Sequence, residues 1–471
     1  MKTGSPTTAS IPSPTPFLIL VTALAFYFWP DGLGITTLVV ATAIVVPAFV
    51  AWFSSSPKTA IVLLLVASAV PRLYVEILGS KARPEHIISG LMIFAIPLLL
   101  KKRSQPVQWM FPDYCLMGYI ALNLLSSLLS VAPSLTLKWA MQQVLAIVPY
   151  FLLRILIGDR ERFQWAFRML LLVGAMACAY AIFCFYCNVF FGTQFGVEVG
   201  QYGDIAATYG LQFEANILGA YSAALAIMML VMYLFTREKK YLIGCTFLGL
   251  VGMAISLSRA ALGAAVVISA IVLYAGHKRE MLNKRVLGSI VWATFGAFLL
   301  IAPLVVQHYT ERFSTVEISD PTADPNTLTR AVQTITAFDE ILKHPILGGG
   351  TASFQLAFDW RDFGAEWEEQ GWIGNTEMRV LHDTGVVGLL VFGLFVASLA
   401  HRAWKAYKLE LSPELMALMV SLLVYCLTFQ ATEGTLLGFS WAHLGLTACG
   451  ASVIGGSSHF DKRGQAQIAS S

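Results

Sequence analysis

Apolar stretches long enough to cross a lipid bilayer follow one another along almost the whole of this 471-residue chain. A helix needs roughly 20 mainly apolar residues to span a hydrocarbon core about 30 Å thick, and inside that core the backbone must satisfy its own hydrogen bonds. Such stretches are read near 17–30, 33–53, 59–79, 87–101, 114–132, 137–157, 166–190, 216–235, 241–257, 260–276, 286–307, 380–400, 413–431 and 436–455. That makes fourteen; twelve is the alternative, because several are short. Only 13% of the residues are charged and 57% are apolar, against roughly 25% charged in soluble domains. The expected fold is all-α: a polytopic transmembrane helix bundle of 12–14 spans, with one long extracytoplasmic loop containing an amphipathic helix. The run from Phe17 meets Pro30-Asp31-Gly32 rather than a small-residue cleavage site, so it reads as a retained first span.

Charge distribution sets the orientation. Cytoplasmic loops carry an excess of Lys and Arg. With the N-terminus in the cytoplasm, the inside loops hold Lys101-Lys102-Arg103, Arg160 with Arg162, Arg237 with Lys239-Lys240, Lys278-Arg279 with Lys284-Arg285, and Arg402 with Lys405 and Lys408. The strong clusters fall on one side and place both termini inside. The expected organisation is a cytoplasmic tail at 1–16, transmembrane helices over 17–307, a large periplasmic loop at 308–378, C-terminal transmembrane helices over 379–455 and a cytoplasmic tail at 456–471. The net charge of +3 comes without a basic, aromatic-interleaved stripe, so no nucleic-acid partner is expected. All seven Cys lie in apolar runs; Cys184 and Cys187 form a CxxC at membrane depth, where packing thiols are the expectation and a redox or metal pair the alternative.

Residues 308–378 hold 12 Asp/Glu and 4 Lys/Arg, a balance of about −8. Within them Leu328, Val332, Ile335, Phe338 and Leu342 recur at helical spacing. That pattern predicts an amphipathic helix that lies on the membrane surface or caps a cavity. A turn, His344-Pro345-Ile346-Leu347-Gly348-Gly349-Gly350, follows, and then an aromatic, acidic stretch from Phe354 to Trp372. Trp360, Trp367 and Trp372 could stack on sugar rings or serve as interfacial belt residues.

Charged residues near the outer ends of spans are the candidates for chemistry. Arg259, in Ser258-Arg259-Ala260, either binds an anion such as phosphate through paired donors or snorkels to headgroups. Arg72, Lys81 and Arg83 surround another outer turn, where snorkelling is the simpler reading, and Arg154 is expected to snorkel to the inner interface. Arg330 opens the amphipathic helix, where a cation opposes the macrodipole and so implies a partner. Arg379 sits where the chain re-enters the membrane and is an anion ligand or a membrane-edge anchor. Glu214 is a first-turn helix residue, a base or a sugar ligand. Glu377, beside Arg379 in a partly desolvated place, is a reasonable general base. His382 and Asp383 are neighbours that should not face one direction on a helix, so His382 reads as packed or capping. No zinc, P-loop or nucleotide motif is present.

Four stretches together resemble the O-antigen ligase and O-antigen polymerase superfamily of bacterial envelope proteins. They are Phe213 to Gly219, Ser258-Arg259-Ala260-Ala261, Arg330 through the Pro345–Gly350 turn, and Asn375 to Leu389. The resemblance implies a metal-independent glycosyltransferase, with no cofactor, on the outer face of the bacterial inner membrane. It would move glycan from a polyprenyl diphosphate-linked donor to a glycan or lipid acceptor, among membrane lipids and polysaccharide assembly partners. It implies diphosphate binding by Arg259, Arg330 and Arg379, with Glu214 and Asn375 touching substrate. The family's loop histidine falls at Gly374. That departure moves the base to Glu377 and favours a polymerase, or an exopolysaccharide variant, over a lipid A ligase. The competing reading is a transporter or lipid-linked oligosaccharide flippase, which would carry its charges in broken helices at mid-membrane with repeat symmetry.

Overall fold

The computed structural model describes Phe49 and residues 56–77, 80–102, 106–198, 207–314, 325–358 and 372–468. The expected spans 17–30 and 33–53, the N-terminal tail, Trp360 and Trp367 lie outside the described residues. The other twelve expected spans all fall on helix. In chain order these are α1 (Pro57–Ala69), α2 (Pro84–Lys102), α3 (Phe111–Leu128), α4 (Pro133–Leu156), α5 (Arg160–Phe191), α6 (Ala215–Thr236), α7 (Lys239–Ile243), a π-helical segment (Gly244–Leu250), α8 (Val251–Ile255), α9 (Arg259–Lys278), α10 (Lys284–Ser314), α11 (Pro325–Lys343), α12 (Thr376–Glu410), α13 (Pro413–Thr428) and α14 (Gly438–Ile468). Among the described residues, six of these are long and apolar enough to cross a membrane: α2, α4, α5, α6, α9 and α12. The protein is an all-α, polytopic membrane bundle.

Local chemistry sets the helix ends. Ser56, Asp159, Ser258, Asn375 and Ser412 cap helices by accepting from the backbone three residues on, which satisfies a donor the first turn leaves free. One boundary differs from the expectation. The run at 59–79 is helical only to Ala69, because Val70 precedes Pro71 and takes φ −125°, ψ 50°. The chain then forms an antiparallel hairpin of β1 (Val75–Ile77) and β2 (Ser80–Ala82), with Val75 opposite Ala82. A second short ladder joins β3 (Val197–Glu198) to β4 (Ala207–Thr208).

The centre of the bundle is α6, whose best spanning window is buried throughout. It packs against α13, α9 and the π segment. Small residues allow the close approach. A Cβ added at Gly249 would lie 2.6 Å from the Ala226 methyl carbon, and one at Gly252 would lie 2.9 Å from Ser222 Oγ. Further out, α3 packs on α12, and α14 on α4 and α12. Exposed Val266, Ile271, Trp292, Leu300, Leu390 and Leu394 give the outer helices an apolar surface suited to lipid.

Two arginines expected to snorkel are inside instead. Arg154 Nη2 lies 3.1 Å from Asp113 Oδ2, and Tyr150 Oη donates to Asp113 Oδ1 at 2.7 Å. With both partners on facing helices, pairing removes the reason to reach for headgroups. Arg83 is likewise buried, 3.6 Å from Glu85, donating to the Leu436 carbonyl at 2.9 Å.

Candidate functional site

The site is built around a break in α12. Gly385 has φ 67° and ψ −172°, so the helical ladder stops after Thr384 and restarts at Val386. The Pro345–Gly350 turn fills the gap. Gly349 N donates to the His382 carbonyl at 2.8 Å and Gly350 N to the Asp383 carbonyl at 3.1 Å. In return, Val386 N donates to the Pro345 carbonyl at 2.9 Å and Val387 N to that of Ile346 at 3.3 Å. Four main-chain groups that a broken helix would leave bare are thereby satisfied. Only glycine fits at the junction: a Cβ on Gly348 would overlap the Asp383 backbone, and one on Gly385 the Ile346 carbonyl. Both also hold positive φ.

The short helical piece before the break carries the charged residues. Arg379 is buried, with Nε 3.3 Å from Asp383 Oδ2 and Nη1 2.6 Å from Glu433 Oε1, and its guanidinium lies 4.9 Å from the Trp372 ring centre. The expectation that it would grip a diphosphate meets this geometry: the cation is engaged by two carboxylates and does not line the cleft described below. Asp383 Oδ1 also lies 2.8 Å from His382 Nδ1. The expectation that these neighbours would not face one another is corrected. They stand in the last turn before the break, where their side chains bond to each other and the His382 ring meets Phe354 edge-on.

The connection between α13 and α14 ties these parts together. Thr376 N donates to the Phe429 carbonyl at 3.0 Å. Gln430 Nε2 donates to both oxygens of Glu377, each at 2.8 Å, and Asn375 Nδ2 donates to Gln430 Oε1 at 2.7 Å. Arg330 Nη1 donates to the Ala431 carbonyl at 2.7 Å. Thr432 Oγ1 donates to Glu214 at the start of α6, and Glu433 pairs with Arg379. A cleft of about 120 Å³ opens here, lined by Arg330, Gln333, Gly374, Asn375 and Gln430 among others.

Of the residues expected in the site, Arg330 and Asn375 line this cleft, and Glu377 is bonded to Gln430, which lines it too. Arg379 and Glu214 join through Glu433 and Thr432. Arg259 opens α9, whose start presses on α6: a Cβ at Gly219 would lie 2.7 Å from Ser258 Cβ. Asn375 has both ends of its side chain engaged, since its Oδ1 caps α12 by accepting from Met378 N at 2.9 Å. Gly374 lets the Arg330 guanidinium come close, for a Cβ there would lie 3.2 Å from Arg330 Nη1.

Helix α11 differs from its expected form in two ways. It begins at Pro325, five residues before Arg330, as suits a proline in a first turn. Its apolar residues also divide between two faces. Ala337 packs with Phe354, Phe358 and Ile373, and Val332 beside them. Ile335, Phe338 and Leu342 point outward, 63%, 56% and 61% exposed. Leu328's side chain lies outside the described residues.

Gln430 falls inside the expected span 413–431, and Thr432 and Glu433 in the four-residue link before the next span, so a reading by spans singles out none of the three. Glu433, a carboxylate beside the outer end of a span, was the available signal.

Fold and site define a polytopic α-helical membrane protein with a broken helix plugged by a folded-in loop and, nearby, an arginine-bearing cleft between α11, the start of α12 and the α13–α14 connection. Residues 244–393 match the family model described as O-antigen ligase. The match runs from the π segment into α12, takes in Arg259, Arg330, the glycine turn and Gly385, and supports the resemblance to the O-antigen ligase and polymerase superfamily. No curated protein matches the chain.

Proposed function

We propose that this protein is a membrane glycosyltransferase of the bacterial inner membrane. It moves glycan from a polyprenyl diphosphate carrier to an acceptor hydroxyl on the outer face, in O-antigen or exopolysaccharide assembly, with chain extension favoured over ligation. The observation that supports this reading is the 429–436 connection, which bonds Arg330 and Asn375 at one cleft and also holds Glu377, Arg379 and Glu214, within and beside the matched stretch. In this reading both termini are cytoplasmic, 308–378 is periplasmic, and the outward row of α11 rests against outer-leaflet lipid.

The chemistry asks little of the protein beyond placement. A glycosyl diphosphate already carries a good leaving group. Glu377 takes the proton of the acceptor hydroxyl, the freed oxygen attacks the anomeric carbon, and the bond from that carbon to the diphosphate oxygen breaks with its electron pair. Arg259 and Arg330 meet the developing negative charge, so the scheme needs no metal. Glu214 and Asn375 border the bound substrate. Arg379 holds the frame through Asp383 and Glu433 rather than touching the donor.

The test is a deletion strain. Single lipid-linked repeat units should accumulate on the outer face and polymer should be lost. Repeat units retained on the cytoplasmic face would overturn the enzyme in favour of a flippase.

A further inference from the structure

Glu377, read above as the base, stands exposed in the first turn of α12. A glutamate there has three rotatable torsions and many rotamers, yet proton transfer needs the carboxylate within hydrogen-bond reach of one hydroxyl. The structure supplies a clamp. Gln430 Nε2 lies 2.8 Å from both Glu377 oxygens and donates to the Cys426 carbonyl at 3.1 Å. Cys426 belongs to the last turn of α13, where carbonyls lack partners within the helix. Gln430 Oε1 accepts from Asn375 Nδ2, while Asn375 Oδ1 accepts from the Met378 backbone.

These contacts fix which end of each amide points where. Asn375 Oδ1 must accept from a backbone N–H, so its nitrogen faces Gln430. Gln430 must then present oxygen to Asn375 and nitrogen to the carboxylate and to the Cys426 carbonyl. The chain α12 N-cap, Asn375, Gln430, Glu377 is therefore wired in one sense, between the start of one helix and the end of another. We propose that Gln430 is a positioning residue that sets the Glu377 carboxylate for proton abstraction. The proposal rests on the reading of Glu377 as the base. Gln430 lies beyond the stretch that matches the family model.

The test uses the full chain in lipid vesicles, with glycan-linked polyprenyl diphosphate extracted from a strain lacking this protein as donor. Gln430→Ala should lower turnover about 10- to 100-fold with the donor KM nearly unchanged, since the clamp acts on the proton transfer and not on donor binding. Gln430→Glu keeps the shape but turns the donor into a second carboxylate, so it should be at least as slow. A role limited to packing would tolerate it. In a Glu377→Gln background, Gln430→Ala should add little further loss, because the two act through one interaction. Wild-type turnover by Gln430→Ala, or a raised KM with turnover unchanged, while Glu377→Gln is inactive, would overturn the clamp and leave the base standing. Wild-type turnover by Glu377→Gln would overturn the base and the clamp with it. If Gln430→Ala fails to accumulate in the membrane, the near-isosteric Gln430→Glu carries the same comparison.

Discussion

Arg379 Nη1 lies 2.6 Å from Glu433 Oε1, and this contact joins the first turns of α12 to the connection that leads into α14. The two side chains are 3% and 14% exposed, and Asp383 completes the group from the next turn. Removing one partner of a buried ion pair leaves the other charge desolvated, at about 3–5 kcal/mol. Arg379→Ala should therefore lower the thermal midpoint of the detergent-purified protein sharply. Arg379→Lys should recover only part of it, since an ammonium cannot reach both carboxylates and stack on Trp372 as a guanidinium does. An unchanged midpoint for Arg379→Ala would remove the frame role assigned here.

Alanine at Gly348 or Gly385 should be poorly tolerated. Each Cβ would overlap backbone across the junction, and each residue holds positive φ. The strain is of the order of 1–3 kcal/mol before any clash is relieved. Gly393, in the same helix with nothing near its Cβ position, is the control: Gly393→Ala should be neutral or stabilising by up to about 1 kcal/mol. Membrane yield and thermal midpoint of the three variants decide the matter, and equal behaviour would refute the interlock.

These two glycines show how far the sequence could be read. The glycine turn and the Asp383-Thr384-Gly385-Val386-Val387-Gly388 run were visible as motifs more than thirty residues apart. That each caps the other is a fact of tertiary hydrogen bonding, which periodicity does not encode. The helices themselves were legible because apolar length is dictated by the bilayer. Arg154 and Arg83 turn inward for reasons of tertiary packing too: Asp113 and the Leu436 carbonyl are remote from them in sequence, and Glu85, though only two residues from Arg83, is itself buried with it. Gln430 lies at the end of an expected span and Glu433 in the four-residue link after it, where a polar residue is ordinary and its partner across the fold is not encoded.

The resemblance puts the family's loop histidine at Gly374, and in this structure the Arg330 guanidinium lies beside that glycine. Gly374→His should fold, because the nearest atom is the mobile end of a side chain 3.2 Å from the new Cβ. It should also push Arg330 off the Ala431 carbonyl and reduce transfer, by about tenfold or more for a misplaced charge-stabilising group. Polymer made in a complemented deletion strain measures this. A gain in activity would instead show that a base at 374 is what the site lacks.

Arg259→Ala should abolish polymer while the protein remains in the membrane at wild-type amount, through the loss of charge stabilisation at the departing diphosphate. Loss of one such group costs about 100- to 1,000-fold in comparable sites. Immunoblot of the membrane fraction alongside polymer analysis separates this from misfolding, and normal polymer would take Arg259 out of the donor site.

The interlock at Gly385 has one further consequence. The chain leaves it at Gly350, bonded to Asp383, and returns at Gly374, whose N–H meets Gln333 at 3.4 Å. The described residues beside the two anchors belong to the same packing: Thr351, Phe354, Phe358 and Ile373 are buried, and Trp372 lies over the Arg379 guanidinium. A change at either foot of the loop therefore reaches the buried arginine, so the two feet are keyed to the bundle together rather than tethered one by one.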